Sequence, residues 1–196
     1  MPALRVYDAI VLAGGRSTRM GDVDKLQAVV DGATLLTHAL AAVADARRVV
    51  VVAPPGTAGV PADALRVQED PPFAGPAAAM GAGLAALGDE AADHVVVLVA
   101  DVPRVGEVVD ALLAAVAAHP HRDGVVVRAA DGRRQPLLAA HRLRPFADAL
   151  AAHESLANLS ATRVTSGLDL VDIELADEVV DDVDTPDDLR RLTCAD

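Results

Sequence analysis

Short runs of Val, Ile, Leu and Ala recur along the chain, separated by stretches where Ala and Leu return at helical spacing. Residues 9–13 (A-I-V-L-A), 49–53 (V-V-V-V-A) and 95–100 (V-V-V-L-V-A) carry no polar residue at alternate positions, so they read as strands buried on both faces. Residues 65–67 and 170–173 add two further strands. Helices are expected over 35–46, with Thr34 as N-cap after an Asp31-Gly32 turn, and over 75–88, with Pro76 in the first turn. Others are expected over 105–118, 143–152 and 187–192. Residues 124–129 and 135–140 flank Asp131-Gly132 and predict a hairpin, which would set one strand antiparallel. This alternation predicts a Rossmann-like three-layer α/β/α fold, a mostly parallel sheet with helices on both faces. No repeat or linker interrupts it, so residues 1–196 read as one domain.

Composition narrows the functional classes. Apolar residues make up 52% of the chain and aromatics only 2%, which argues against disorder and against stacking on single-stranded nucleic acid. The formal charge of −12 repels phosphate backbones, so no nucleic acid partner is expected and any phosphate must be met at a local cationic site. The single cysteine, Cys194, permits no internal disulfide. There is no signal-peptide pattern and no apolar run of about 18–20 residues, which leads us to expect a cytoplasmic protein without a membrane partner. No aromatic-rich apolar face suggests an interface, so a monomer is the default.

The first strand empties into Gly14, Gly15, Arg16, Ser17, Thr18, Arg19, Met20 and Gly21, followed by Asp24 and Lys25. Glycines bring backbone N–H groups close to an anion, with no Cβ in the way. Neither the Walker spacing nor G-x-G-x-x-G is present. On glycines alone, a plain βα turn with surface arginines and an anion site remain equally open. Lys25 is the chain's only lysine, the other sixteen basic residues being arginine. A compact ammonium meets a single phosphate oxygen differently from the planar arginine fork.

Carboxylates close several strands. Asp70 follows the third strand, Asp101 follows 95–100 and precedes Val102-Pro103, and Asp182 and Asp184 precede Thr185-Pro186. An aspartate at the open end of a buried strand is suited to a metal ion, and equally to a turn before proline. Mg²⁺ takes one or two carboxylates and fills its shell with water and phosphate oxygens, so Asp101 with Asp184 is a candidate pair. Asp187 and Asp188 instead fit an acidic helix N-terminus. Arg133 and Arg134 could meet a second anion or simply decorate a hairpin tip. No histidine falls in a metal-ligand pattern or at the position of a general base, and there is no nucleophile-elbow serine.

The string L-A-G-G-x-S-x-R-M-G with Asp24-Lys25 resembles the signature of nucleotidyltransferases, most closely the molybdenum cofactor guanylyltransferase family. Asp101-Val102-Pro103, Asp70 with Gly75-Pro76, Gln135-Pro136-Leu137 and D-V-D-T-P-D-D-L at 182–189 resemble further landmarks of that family, in its order. The resemblance implies a nucleotide-diphospho-sugar transferase type of fold. It also implies transfer of GMP from GTP to a molybdopterin-type phosphate, with Mg²⁺ as cofactor. In that scheme Leu12, Ala13, Gly14, Gly15, Asp70 and Gly75 hold the nucleotide. Arg19 and Lys25 neutralise its phosphates, and Asp101, with Asp184, binds the metal. Transient contact with molybdenum cofactor enzymes or chaperones is compatible with that role. The D-V-D-T-P ending also resembles cytidylyltransferases acting on the same cofactor, where guanylyltransferases often carry Asn. A sugar-phosphate nucleotidyltransferase and a non-catalytic nucleotide-binding regulator remain the other readings.

Overall fold

A computed structural model describes residues 6–14, 25–183 and 188. Strand β1 (Asp8–Leu12) is buried at every position. Because side chains alternate across a strand, its apolar run serves two cores. Ala9 and Val11 face a layer built by α1 (Leu35–Ala42) and α3 (Val105–Ala118). Ile10 and Leu12 face α2 (Pro76–Leu87), α4 (Leu143–Ala151) and the short α5 (Ala161–Thr165). The three expected layers follow from that division.

Between β1 and α1 lie a single 3₁₀ turn (Lys25–Gln27) and a small ribbon, β2 (Val29–Val30) with β3 (Ala33–Thr34). The ribbon turns at Asp31 and Gly32, both at positive φ (49° and 80°), the conformation tight hairpins demand. The hydroxyl of Thr34 accepts the Thr37 N–H at 3.2 Å and caps α1 as expected. The helix ends at Ala42, short of the expected 46. Residues 43–46 continue as three-residue turns, with Ala44 N–H on the Ala41 carbonyl and Ala46 N–H on that of Val43.

The remaining strands are β4 (Val49–Val52), β5 (Leu65–Val67), β6 (His94–Val99), β7 (Gly124–Arg128), β8 (Arg134–Arg142) and β9 (Leu170–Glu174). With β1 they form a seven-stranded sheet in the order β5-β4-β1-β6-β8-β7-β9. All pairings are parallel except those of β8, which runs antiparallel to both β6 and β7. The hairpin at Asp131-Gly132 is the cause: it returns the chain beside β7, and β8 inserts between β7 and β6. A further short helix, α6 (Asp177–Val180), was not foreseen, and the expected helix over 187–192 lies outside the described residues except for Asp188.

The chain proceeds from β1 outward to β4 and β5, then returns as β6 on the other side of β1. Neighbouring strands therefore connect in opposite directions at β1 and β6. Open α/β sheets bind ligands beyond the carboxyl ends of their strands at such a reversal.

Candidate active site

At that reversal the end of β1 is held from both sides. Ala13 N–H bonds the Val52 carbonyl at 2.9 Å, and Ala100 N–H bonds the Leu12 carbonyl at 3.1 Å. Leu12, Ala13 and Gly14 thus leave the sheet beside Ala100 and Asp101, which leave it from β6. A Cβ placed on Gly14 would come no closer than 3.6 Å to the Val52 carbonyl. That is ordinary contact, so the described framework would accept a side chain there.

Lys25 reaches this edge from the 3₁₀ turn. Its Nζ lies 2.9 Å from Asp101 Oδ2, joining positions 76 apart in sequence. The side chains are 13% and 25% exposed. The lone lysine and the strand-end aspartate therefore share one site.

One apolar cluster and one backbone hydrogen bond fix the approach. Ala28, Val30 and Leu35, from the segment that follows Lys25, form a small core with Val183. Val183 in turn donates its N–H to the Asp101 carbonyl at 3.0 Å. The segment before the D-T-P stretch thereby packs on the chain that follows Lys25 and is bonded to the backbone of Asp101. Sequence reasoning passed over Val183. Its signal was a single apolar residue alternating with aspartates.

A family profile for the MobA-like NTP transferase domain matches residues 9–167, most of the chain. The chain belongs to the MobA-like NTP transferase family. It is accordingly a nucleotidyltransferase of that family. Solved structures agree in fold. Molybdopterin-guanine dinucleotide biosynthesis protein A from Archaeoglobus fulgidus matches with TM-score 0.68 at 20% identity, over 95% of this chain and 96% of that one. The 2-C-methyl-D-erythritol 4-phosphate cytidylyltransferase of Thermus thermophilus matches with TM-score 0.64 at 21% identity, over 98% of each chain. A Mycobacterium tuberculosis protein solved in complex with manganese matches with TM-score 0.69 at 19% identity, over 98% of this chain and 100% of that one. No curated protein sequence matches. At these identities the likeness is one of fold, which is the nucleotide-diphospho-sugar transferase arrangement.

In this MobA-like chain the other expected site residues divide into two groups. Asp70 is exposed on the loop between β5 and α2, at the same carboxyl edge of the sheet. Gly75 is the N-cap of α2 at φ 98°, with Pro76 behind it and no side-chain cap. The first amides of that helix are therefore left facing the rim. Gly15, Arg19 and Asp184 lie outside the described residues, whereas Asp182 is exposed beside Val183.

The residues present fit a hard cation at Asp101. Its second oxygen, Oδ1, is buried and has no hydrogen-bond partner among the described residues. A buried carboxylate oxygen so placed is costly unless a donor or a cation meets it. Among the described residues no three His, Cys, Asp or Glu side chains converge.

The hairpin arginines are occupied elsewhere. Arg134 grips Asp172 of β9, with Nε 2.7 Å from Oδ1, and Arg128 joins on the other oxygen. Hydrogen bonds from Arg134, then from Arg128, hold the Asp172 carboxyl below its usual range. Arg133 pairs with Asp131 at the exposed turn, and its backbone N–H and guanidinium lower that carboxyl's pKa. Gln135-Pro136-Leu137 falls where the β7–β8 register shifts, between Val126 and Val127. Proline has no N–H for a ladder, so an irregularity here is the expected accommodation. Bulges re-aim side chains at site edges, and this one begins β8 at the carboxyl edge of β6.

Proposed function

We propose that this protein transfers GMP from GTP to the phosphate of a molybdopterin-type acceptor, releasing pyrophosphate. The observation that carries the reading is the 2.9 Å meeting of Lys25 and Asp101 at the reversal of strand order. One triphosphate lying over the ends of β1 and β6 can touch both groups. Family membership supports the reaction class, and the sequence motif L-A-G-G supports the choice of guanine.

An acceptor phosphate monoester is largely dianionic near neutral pH, with a second pKa of about 6, and needs no base to activate it. Its oxygen attacks the α-phosphorus of GTP. The new P–O bond forms as the bond to the β-phosphate oxygen breaks, and pyrophosphate leaves with that electron pair. Positioning and charge stabilisation carry such a step. Leu12, Ala13, Gly14, Gly15, Asp70 and Gly75 hold the nucleotide. Lys25, with Arg19, neutralises the β- and γ-phosphates, which requires Lys25 to release Asp101 when substrate enters. Asp101, with Asp184, would hold Mg²⁺, which supplies charge neutralisation at the phosphates when bound.

The D-V-D-T-P ending favours CTP as a second reading. Thermal-shift titration with each nucleotide and Mg²⁺ separates the two, since a ligand of the folded state raises Tm by mass action. Incubation with the stabilising nucleotide and molybdopterin, followed by mass analysis, should then show the guanine dinucleotide. Stabilisation by CTP alone would overturn the guanylyl assignment. Absence of any dinucleotide product would overturn the transfer.

A further inference from the structure

The chain contains one tyrosine, two phenylalanines and no tryptophan. Tyr7 and Phe146 are buried, at 2% and 0% exposure, while Phe73 stands 42% exposed. An apolar ring that size is normally buried, and this protein has few to spare.

The backbone under Phe73 is unusual too. Its φ is +61°, in the left-handed region that a bulky residue rarely enters. The surrounding loop holds it there. Phe73 N–H donates to Glu69 Oε1 at 2.9 Å, and Ala74 N–H to the Pro71 carbonyl at 3.2 Å. Ala74 is buried and its carbonyl accepts the Asn158 N–H at 2.6 Å, which ties the loop to the 156–159 segment. Such conformations persist where the surroundings over-determine them, and they gather at ligand sites.

The loop's place in the fold gives the conformation a use. Ala77, in the first turn of α2, packs in one core with Leu12 and Val52, the last residues of β1 and β4. The entry to α2 therefore overlies the carboxyl ends of those strands. Phe73 precedes that entry, between Asp70 and Gly75. From β4 to β6, where Asp101 lies, is two strand spacings, about 10 Å. That span suits a nucleotide with its phosphates at Lys25 and Asp101 and its base toward the α2 entry.

We propose that Phe73 is the platform on which the planar base of the bound nucleoside triphosphate stacks. The inference rests on the reading above that a nucleoside triphosphate is the donor, and is independent of which base it carries. Stacking on an aromatic ring is tolerant of base identity, so Phe73 supplies affinity while hydrogen bonds elsewhere choose the base.

Phe73→Trp introduces the chain's sole tryptophan and so a direct reporter. GTP or CTP with Mg²⁺ should quench its fluorescence, and tripolyphosphate, which has no base, should not. Phe73→Ala should weaken nucleotide binding by about tenfold or more and leave tripolyphosphate affinity unchanged. Phe73→Tyr should bind like wild type, showing that the ring rather than the fold was lost in Phe73→Ala. Equal nucleotide affinity of wild type and Phe73→Ala, with no quenching in Phe73→Trp, overturns the platform and leaves the proposed reaction standing. Quenching by a free pterin but by neither nucleotide overturns it as well. If the wild type binds no nucleoside triphosphate, the reaction falls and the platform with it.

Discussion

The backbone N–H of Val183 meets the carbonyl of Asp101 at 3.0 Å, while the Val183 side chain is fully buried against Ala28, Val30 and Leu35. One residue thus touches the backbone of the carboxylate and the segment that follows its lysine. Val183→Ala should lower stability by about 1–2 kcal/mol, the loss of two buried methyl groups, and should reduce turnover beyond what stability explains. Val183→Ile should recover part of the activity. Urea unfolding with parallel pyrophosphate-release assays checks this; full activity in Val183→Ala would show that Val183 does not position the pair.

Lys25 and Asp101 should each be indispensable to turnover. Lys25→Ala and Asp101→Ala are expected to lower kcat by about 10²–10³-fold or more, the scale of losing one preorganised charge-stabilising group. Lys25→Arg should not rescue, because the fork is planar and wider than an ammonium. Circular dichroism should show both variants folded. Wild-type rates in either would refute their assignment.

His141 is fully buried and lies flat against Phe146, ring centroids 4.6 Å apart, with neither ring nitrogen hydrogen-bonded among the described residues. Burial pushes its pKa down from 6.5 to about 4. Between those values the unfolded chain binds the proton and the folded chain does not, so stability falls as pH drops through the window. The full difference, reached below about pH 4, is of the order of 3 kcal/mol. His141→Leu should flatten the decline in urea midpoint between pH 6.5 and 4. It should cost little at neutral pH, since no hydrogen bond is lost. An unchanged acid profile would show that His141 does not titrate as its burial requires.

Gly83 lets α2 lie close on the sheet. A Cβ there would sit 2.5 Å from Ile10 Cγ2 and 3.2 Å from Val52 Cγ2. Gly83→Ala should therefore destabilise by about 1–3 kcal/mol through overpacking, despite alanine's better helix propensity. Because Ile10 and Val52 belong to β1 and β4, displacement of α2 should also weaken nucleotide binding. A thermal melt above the wild type's would mean the helix shifts at no cost.

Where strands and helices lie was legible because buried parallel strands are apolar without interruption and the connections are punctuated by Thr34, Pro76 and the Asp131-Gly132 turn. Local chemistry of this kind acts within a few residues, so it survives in a linear reading. The ends of elements were less so: α1 stops at Ala42 because its last turn tightens, a choice made by packing. The sequence by itself also singled out Lys25 and Asp101, the one by its uniqueness and the other by the strand before it. Only the tertiary structure decided that they meet, that the expected antiparallel strand β8 inserts between β6 and β7, and that Val183 joins them. It alone left Phe73 exposed at the rim and sent Arg134 to Asp172. The physical reason is separation along the chain. Lys25, Asp101 and Val183 approach through the order of the sheet, which no single segment encodes.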